Sequence, residues 1–311
     1  MSAPTTQILI GDALDALRTV ADGSVNEIVT SPPYYGKRDY EVEGQIGFGQ
    51  SLDDYISSLV AVFRETRRVL RKDGTMFLNL GDTYYDPYFV GQVKDDRFDR
   101  NDLMLVPFRV AMALQADGWL LRSHVVWHKP AVLPESVKNR PTCCHEEVFF
   151  FVKKMGYYYD YQAIAEPSKG YKNSDFDHKK TLGHQAGRGR SKPSSNARVE
   201  TDTRNSRNVW KIPTEPSRED HFAMMPSALA TRCVLAGCPA SGVVLDPFGG
   251  AGTTALSACR AGRSAVLIEL NPQYAAIAER RLAKEGIPVT TSAVMPTAAT
   301  AAVVPMMSRA A

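Results

Sequence analysis

Val243-Val244-Leu245-Asp246-Pro247-Phe248-Gly249-Gly250-Ala251-Gly252-Thr253-Thr254 is the stretch whose reading decides the fold. Three apolar residues read as a short strand, the glycines as a turn, and Thr253-Thr254 as the opening of a helix. Glycine lets a backbone approach a ligand closely, and a helix N-terminus offers unpaired N–H groups. Any tight strand-to-helix turn needs similar residues, so the loop alone decides little. Glu269 adds to it: it closes the next strand, Ala265 to Ile268, about twenty residues on, where an acid can accept hydrogen bonds from ribose hydroxyls. Asp246-Pro247-Phe248 departs from a nicotinamide dehydrogenase fingerprint. A pyrophosphate binder wants glycine and no negative charge there, whereas a carboxylate suits a cationic ligand group.

Outward from that loop, strands and helices alternate. Ile8-Leu9-Ile10 reads as a strand that turns at Gly11-Asp12, and Ala13 to Val20 has helical spacing. Glu27 to Thr30 reads as a buried strand. Ser51 is the expected N-cap of a helix carrying Tyr55, Leu59, Val62, Phe63 and Val69, stopped by Lys72-Asp73-Gly74. Met76 to Leu80, Leu120 to Trp127 and Glu147 to Val152 are further strands, and Leu103 to Ala116 a helix. This alternation predicts an α/β sheet with helices on both faces.

From Gly156 to Thr214 the rhythm disappears in favour of Lys, Arg, Ser, Asn and Gly, and Thr181 to Asn196 approaches low complexity. Such a composition cannot bury a large core of its own. The α/β rhythm resumes with a helix at Ser227 and ends near Pro288, after which disorder is expected. The predicted organisation is one half-domain over 1–155, an insertion over 156–214, a second half-domain over 215–286, and a tail over 287–311.

Composition narrows the class. The 311 residues are 44% apolar and 23% charged, as in a globular enzyme. The sequence holds no run of 18 or more apolar residues, so no membrane span is expected. A signal peptide is not expected either, and five cysteines without a disulfide framework suit a reducing cytoplasm. Net charge is +3, yet Ser168 to Arg218 holds twelve Lys/Arg against five Asp/Glu, an excess of +7 that leaves −4 for the rest. A basic segment on a mildly acidic chain fits either a phosphate-facing surface or a merely solvated loop.

A second motif, Ser31-Pro32-Pro33-Tyr34, follows the strand that ends at Thr30. In open α/β sheets that is where ligands sit. Two prolines remove backbone donors and stiffen the loop, leaving carbonyls outward. The Ser31 hydroxyl and Pro32 carbonyl can each accept a hydrogen bond from an NH₂ group, and Tyr34 offers a flat face for an extruded base. A proline-rich turn carrying a core tyrosine would have the same four letters.

Together these motifs resemble the DNA amino-methyltransferases that modify adenine N6 or cytosine N4, over roughly Ile8 to Leu282. The order, with Thr30-Ser31-Pro32-Pro33-Tyr34 first, a variable region next and the glycine loop last, is similar to the permuted β class. Arg67 to Gly74 with Asn79-Leu80-Gly81-Asp82, Trp127-His128-Lys129-Pro130 with Arg140-Pro141 and His145-Glu146, and His221-Phe222-Ala223 through Pro226 with Leu229 to Arg232 also resemble family segments. The resemblance implies a Rossmann-like methyltransferase fold with a mostly parallel, seven-strand-type sheet, and S-adenosylmethionine as cofactor. It implies that Ser31, Pro32, Pro33 and Tyr34 are catalytic. It implies that Asp246, Phe248, Gly249 and Gly250 hold the methionine portion, Glu269 the ribose and Asp12 the adenine amino group, with Gly252 also cofactor-binding. Ala251 stands where such enzymes often carry Ser.

The same resemblance makes the inserted region a DNA reader, with Arg188, Arg190, Arg198, Arg204, Arg207 and Lys211 as candidates for phosphate or base contacts. Trp210 is expected to pack rather than stack on a base. Cys143 and Cys144 are expected to be packing residues rather than nucleophiles, and no metal site is expected from Cys233 and Cys238. Ser31, where adenine enzymes usually carry Asp or Asn, favours cytosine N4, with adenine N6 the alternative. An RNA or small-molecule methyltransferase and a silent DNA-binding protein are the competing readings. Double-stranded DNA is the expected partner, in a homodimer; pairing with a restriction endonuclease and action as an orphan enzyme both stay open.

Overall fold

The computed structural model describes residues 3–168, 202–215 and 224–295. In chain order the elements are β1 (Thr6–Ile10), α1 (Ala13–Thr19), β2 (Val25–Thr30), α2 (Leu52–Val69), β3 (Leu70–Leu80), α3 (Val106–Ala116), β4 (Leu120–His128) and β5 (His145–Val152). Then come β6 (Glu166–Pro167), β7 (Thr203–Arg204), β8 (Val209–Lys211), α4 (Ser227–Gly237), β9 (Val243–Asp246), α5 (Thr253–Arg260), β10 (Ser264–Glu269), α6 (Pro272–Lys284) and β11 (Val289–Ala293).

Among the described residues the main sheet has nine strands, ordered β11-β1-β10-β9-β2-β3-β5-β4-β8. Within it only β5 runs against its neighbours; every other pairing is parallel. Burial on both faces explains why β5 reads as an unbroken apolar run from Val148 to Val152, and why Ile28-Val29 of β2 and Met76-Phe77-Leu78 of β3 are apolar as well. Side-chain alternation splits them between two layers. Ile28, Met76, Leu78, Phe149 and Phe151 join the core beneath α1, α2 and α3, while Phe77 stacks on Phe150 and tilts against Trp210. The mostly parallel sheet and its mixed α/β architecture are those predicted, with the short edge strands β8 and β11 lengthening a seven-strand type.

β9 lies beside β2, so the strand before the glycine loop adjoins the strand before the Pro-Pro loop. β1 and β2, consecutive in sequence, are separated by β10 and β9. Both loops therefore leave the same, carboxyl edge of the sheet, at the point where such sheets open a crevice for ligands.

Several boundaries differ from the sequence reading. α2 stops at Val69, and Lys72-Asp73-Gly74 belongs to β3 rather than to a turn. The register jumps from Val25↔Leu70 to Glu27↔Thr75, so a bulge absorbs the extra residues. α3 begins at Val106 rather than Leu103, because Asp82 Oδ1 accepts from the Val106 backbone N–H at 3.0 Å and caps the helix from a distant loop. β11 lies in the stretch where disorder is expected. It pairs in parallel with β1, and its mostly exposed residues contribute backbone hydrogen bonds rather than an apolar face.

The chain divides into two compact units, Tyr161–Arg207 and the remainder. In the small unit β6 pairs antiparallel with β7, and Arg207 Nε donates to Glu166 Oε2 at 3.0 Å. In the main unit Glu27 is fully buried on β2, and neither of its carboxyl oxygens has a hydrogen-bond partner among the described residues. Burial holds that carboxyl well above the usual carboxylate range, with Arg263 pulling weakly the other way.

Candidate active site

A cavity of about 450 Å³ opens at the carboxyl edge between β2 and β9. Its wall is built from both motifs: Ser31, Pro32, Pro33 and Tyr34 on one side, and Asp246, Phe248, Gly249 and Gly250 on the other. Asp12 and Glu269 also face it. The predicted catalytic and cofactor residues are thus brought together, Gly252 excepted. Gly252 stands behind the wall as the N-cap of α5, with φ +80° and so little room that a Cβ would meet Ala278 Cβ at 2.8 Å.

Asp246 is only 4% exposed, and three donors from the protein hold it. Thr30 Oγ1 donates to Oδ1 at 2.7 Å, Thr254 Oγ1 to Oδ2 at 2.7 Å, and the Phe248 N–H to Oδ1 at 3.0 Å. Burial raises this carboxyl above its ordinary range, and the three bonds hold it back. A carboxylate has about four lone-pair sites, so one remains for a ligand donor.

Glu269 is tied to backbone in the same manner. Oε2 accepts from the Gly250 N–H at 2.7 Å and Oε1 from the Asn271 N–H at 2.8 Å. Burial pushes its carboxyl up to about 7, with a small further push from the Asp246 charge. Asp12 caps α1: Oδ1 accepts from the Leu14 and Asp15 N–H groups at 2.9 and 3.1 Å. The second carboxylate oxygen is the one left for a ligand. Gly250 sits at φ +50°, and a Cβ there would meet no atom within 4 Å, so its place is open cleft.

On the other wall, the Tyr55 hydroxyl donates to the Pro33 carbonyl at 2.9 Å and locks the loop. The Tyr34 ring lies on Gly81, where a Cβ would come within 2.6 Å of Cε2. Its hydroxyl donates to Glu146 Oε2 at 2.6 Å and accepts from Asn79 Nδ2 at 2.8 Å and from Ser31 Oγ at 3.1 Å. Glu146 Oε1 is paired with Lys129, whose ammonium stands 4.8 Å from the Trp127 ring centroid. Burial, and then the Glu146 charge, raises the Tyr34 phenol well above its ordinary range.

Asn79, Lys129, Glu146 and Thr254 carry no individual role in the sequence motifs, and Thr30 enters only as the start of the Pro-Pro loop. The usable signal was there for Glu146: an acid opening an otherwise apolar strand needs a partner. Tyr40, Met224 and Met225 also line the cavity and were not singled out. Cys143 is exposed, contrary to the expected packing role, because it lies in the loop between β4 and β5.

Of the basic residues proposed to meet DNA, Arg188, Arg190 and Arg198 lie outside the described residues, as does His221-Phe222-Ala223. Arg204 and Arg207 both pair with Glu166 inside the small unit. Lys211 is exposed on β8, next to Trp210, which is buried against Phe77 with the Arg232 guanidinium 4.9 Å from its ring centroid.

The acceptors facing the cavity are carboxylates, Asp12, Asp246 and Glu269, beside the aromatic ring of Phe248. That set suits a cationic centre and a diol better than a pyrophosphate. Comparison with known proteins agrees with it. The family model described as DNA methylase, N6_N4_Mtase, matches residues 25–280. The chain is 40% identical over 291 residues to the Type II methyltransferase M.SmaI of Serratia marcescens, covering 89% of this chain and 90% of that one. Among solved structures it is similar to the cytosine-N4-specific PvuII DNA methyltransferase, with TM-score 0.65, 19% identity, and 90% and 87% of the two chains covered. It also matches TTHA0409 of Thermus thermophilus, solved in complex with S-adenosyl-L-methionine, with TM-score 0.61 and 25% identity over 94% of this chain and all of that one. The chain belongs to the N6_N4_Mtase family of DNA methylases.

Proposed function

We propose that this DNA methylase transfers a methyl group from S-adenosylmethionine to cytosine N4 of a base flipped out of double-stranded DNA. The convergence of the Ser31–Tyr34 loop and the Asp246–Gly250 loop on one cavity carries the reading. When bound, the cofactor would supply an electrophilic methyl to the amine lone pair, with the C–S electron pair retained by sulfur and the amine's surplus proton passing to solvent. Asp246 and the backbone of Phe248 to Gly250 would hold the methionine end, Glu269 the ribose and Asp12 the adenine. Ser31 Oγ and the Pro32 carbonyl would accept hydrogen bonds from the target NH₂ and keep its lone pair free, so that catalysis is largely alignment. Base flipping is required, because an amine paired inside a duplex cannot reach the cleft.

Ser31 in place of Asp or Asn is what favours cytosine over adenine. The protein would act in the cytoplasm as a homodimer, and similarity to Type II methyltransferases supports pairing with a restriction endonuclease of the same target sequence. No helix among the described residues is long and apolar enough to cross a membrane. The insertion, with Arg204, Arg207 and Lys211 among its described cations, would read the DNA. The test is incubation with cofactor and unmodified DNA, digestion to nucleosides and mass spectrometry. N4-methylcytosine is expected; N6-methyladenine would reverse the base assignment while keeping the mechanism.

A further inference from the structure

The geometry points to Glu146 as the positioning residue that sets the direction of hydrogen bonding at Ser31, holding the serine oxygen as an acceptor toward the target amine. This rests on the reading that Ser31 receives that amine. An ionised carboxylate can only accept. Glu146 Oε1 is occupied by the Lys129 ammonium, and Oε2 lies 2.6 Å from the Tyr34 oxygen and 2.9 Å from Asn79 Nδ2.

Tyr34 has one hydroxyl hydrogen, and Glu146 takes it. The Tyr34 oxygen can then only accept, and its two donors are Asn79 Nδ2 at 2.8 Å and Ser31 Oγ at 3.1 Å. Ser31 in turn spends its single hydrogen on Tyr34, away from the substrate. What it presents to the cleft is lone pairs. An amine with two hydrogens meets an acceptor there, and its own lone pair stays free for reaction.

Reversed, the chain would turn the Ser31 O–H toward the amine and compete for that lone pair. Asn79 reports the same polarity. Its amide donates to the Tyr34 oxygen at 2.8 Å and to Glu146 Oε2 at 2.9 Å, with Ser31 Oγ a more distant acceptor at 3.4 Å, while its buried Oδ1 has no partner among the described residues. Flipping the amide would set that oxygen against a carboxylate. The elevated Tyr34 phenol stays protonated and so keeps the chain intact. Lys129 offsets the cost of holding the Glu146 charge in a largely buried place.

The test is Glu146→Gln, whose amide can donate to Tyr34 and release the polarity. Its kcat should fall about tenfold or more, with KM for DNA and Kd for cofactor within about twofold of wild type and the unfolding midpoint retained. Tyr34→Phe keeps the ring but cuts the chain, so Glu146→Gln added to it should cost less than about twofold further. An undiminished kcat overturns the inference. So does a tenfold loss repeated in the Tyr34→Phe background, or a loss appearing in cofactor affinity or stability instead. A wild-type protein that methylates no DNA would overturn the proposed function itself; an active wild type beside a full-rate Glu146→Gln overturns only this inference.

Discussion

Thr30 Oγ1 donates to Asp246 Oδ1 across 2.7 Å, joining residues 216 positions apart and fastening the end of β2 to the end of β9. Each residue ends the strand that launches one of the two site loops, so the bond sets the spacing of the cavity's two walls. Thr30→Val should leave the buried carboxylate one donor short and destabilise the fold by about 1–3 kcal/mol. Asp246→Ala should in addition weaken cofactor binding by about tenfold or more, since a charge-assisted hydrogen bond is lost. Denaturant unfolding and calorimetric titration read the two effects separately. An unchanged cofactor Kd in Asp246→Ala would remove Asp246 from the cofactor site.

Cofactor affinity should depend on pH through Glu269. With its carboxyl pushed up to about 7 in the free protein, acidification below that value protonates it. The protonated form loses acceptor capacity while the Gly250 and Asn271 N–H groups still need it. Kd should therefore rise as pH falls through 7, by at most about tenfold per pH unit for a single proton. Titrations across that range give the slope, and Glu269→Gln should flatten it. A slope that persists in the variant would assign the effect to another group.

Gly81→Ala should act on Tyr34 alone. The new methyl would stand 2.6 Å from Tyr34 Cε2 and force the ring off its seat. The expected signature is a lower kcat with cofactor Kd unchanged, because Asp12, Asp246 and Glu269 are untouched. Crowding of this kind costs about 1–3 kcal/mol of stability. Equal losses in kcat and cofactor affinity would show that the two walls do not respond independently.

Glu27 offers a stability test away from the chemistry. Its folded-state carboxyl titrates above the unfolded value, so the folded protein keeps a proton that the unfolded chain releases. The stability this residue contributes is intact below the unfolded pKa and declines as pH rises, through the window between the unfolded value and the raised folded one. Glu27→Gln removes that proton exchange, so its unfolding midpoint should gain on wild type as pH is raised from about 4 to about 8. A midpoint difference that stays constant across that range would mean that Glu27 does not titrate on unfolding. Gly237→Ala is the steric counterpart, since a Cβ there would run into Glu27 Oε1.

The fold was legible in the sequence wherever burial imposed a pattern. β5 reads directly from Val148 to Val152, and β9 with its loop from Val243 to Gly252, because a strand covered on both faces must be apolar throughout. β11 was not legible: it is an exposed edge strand held by backbone bonds, which leave no mark on side-chain choice. The start of α3 was missed for a related reason, since its cap comes from Asp82 far back in the chain.

Local chemistry is what the sequence determined by itself: a strand ending in an acid and a glycine turn, another ending in Ser-Pro-Pro-Tyr, and a basic stretch too polar for a core. Those features depend on neighbours in the chain, where backbone geometry and residue type suffice. Tertiary structure alone decided what the acids and hydroxyls do to one another. Asp246 meets Thr30, and Glu146 meets Tyr34 across 112 positions, only because strand order sets β9 beside β2 and β5 beside β3. Hydrogen bonds act over about 3 Å, so their partners are set by which strands lie side by side, a relation that no local pattern encodes.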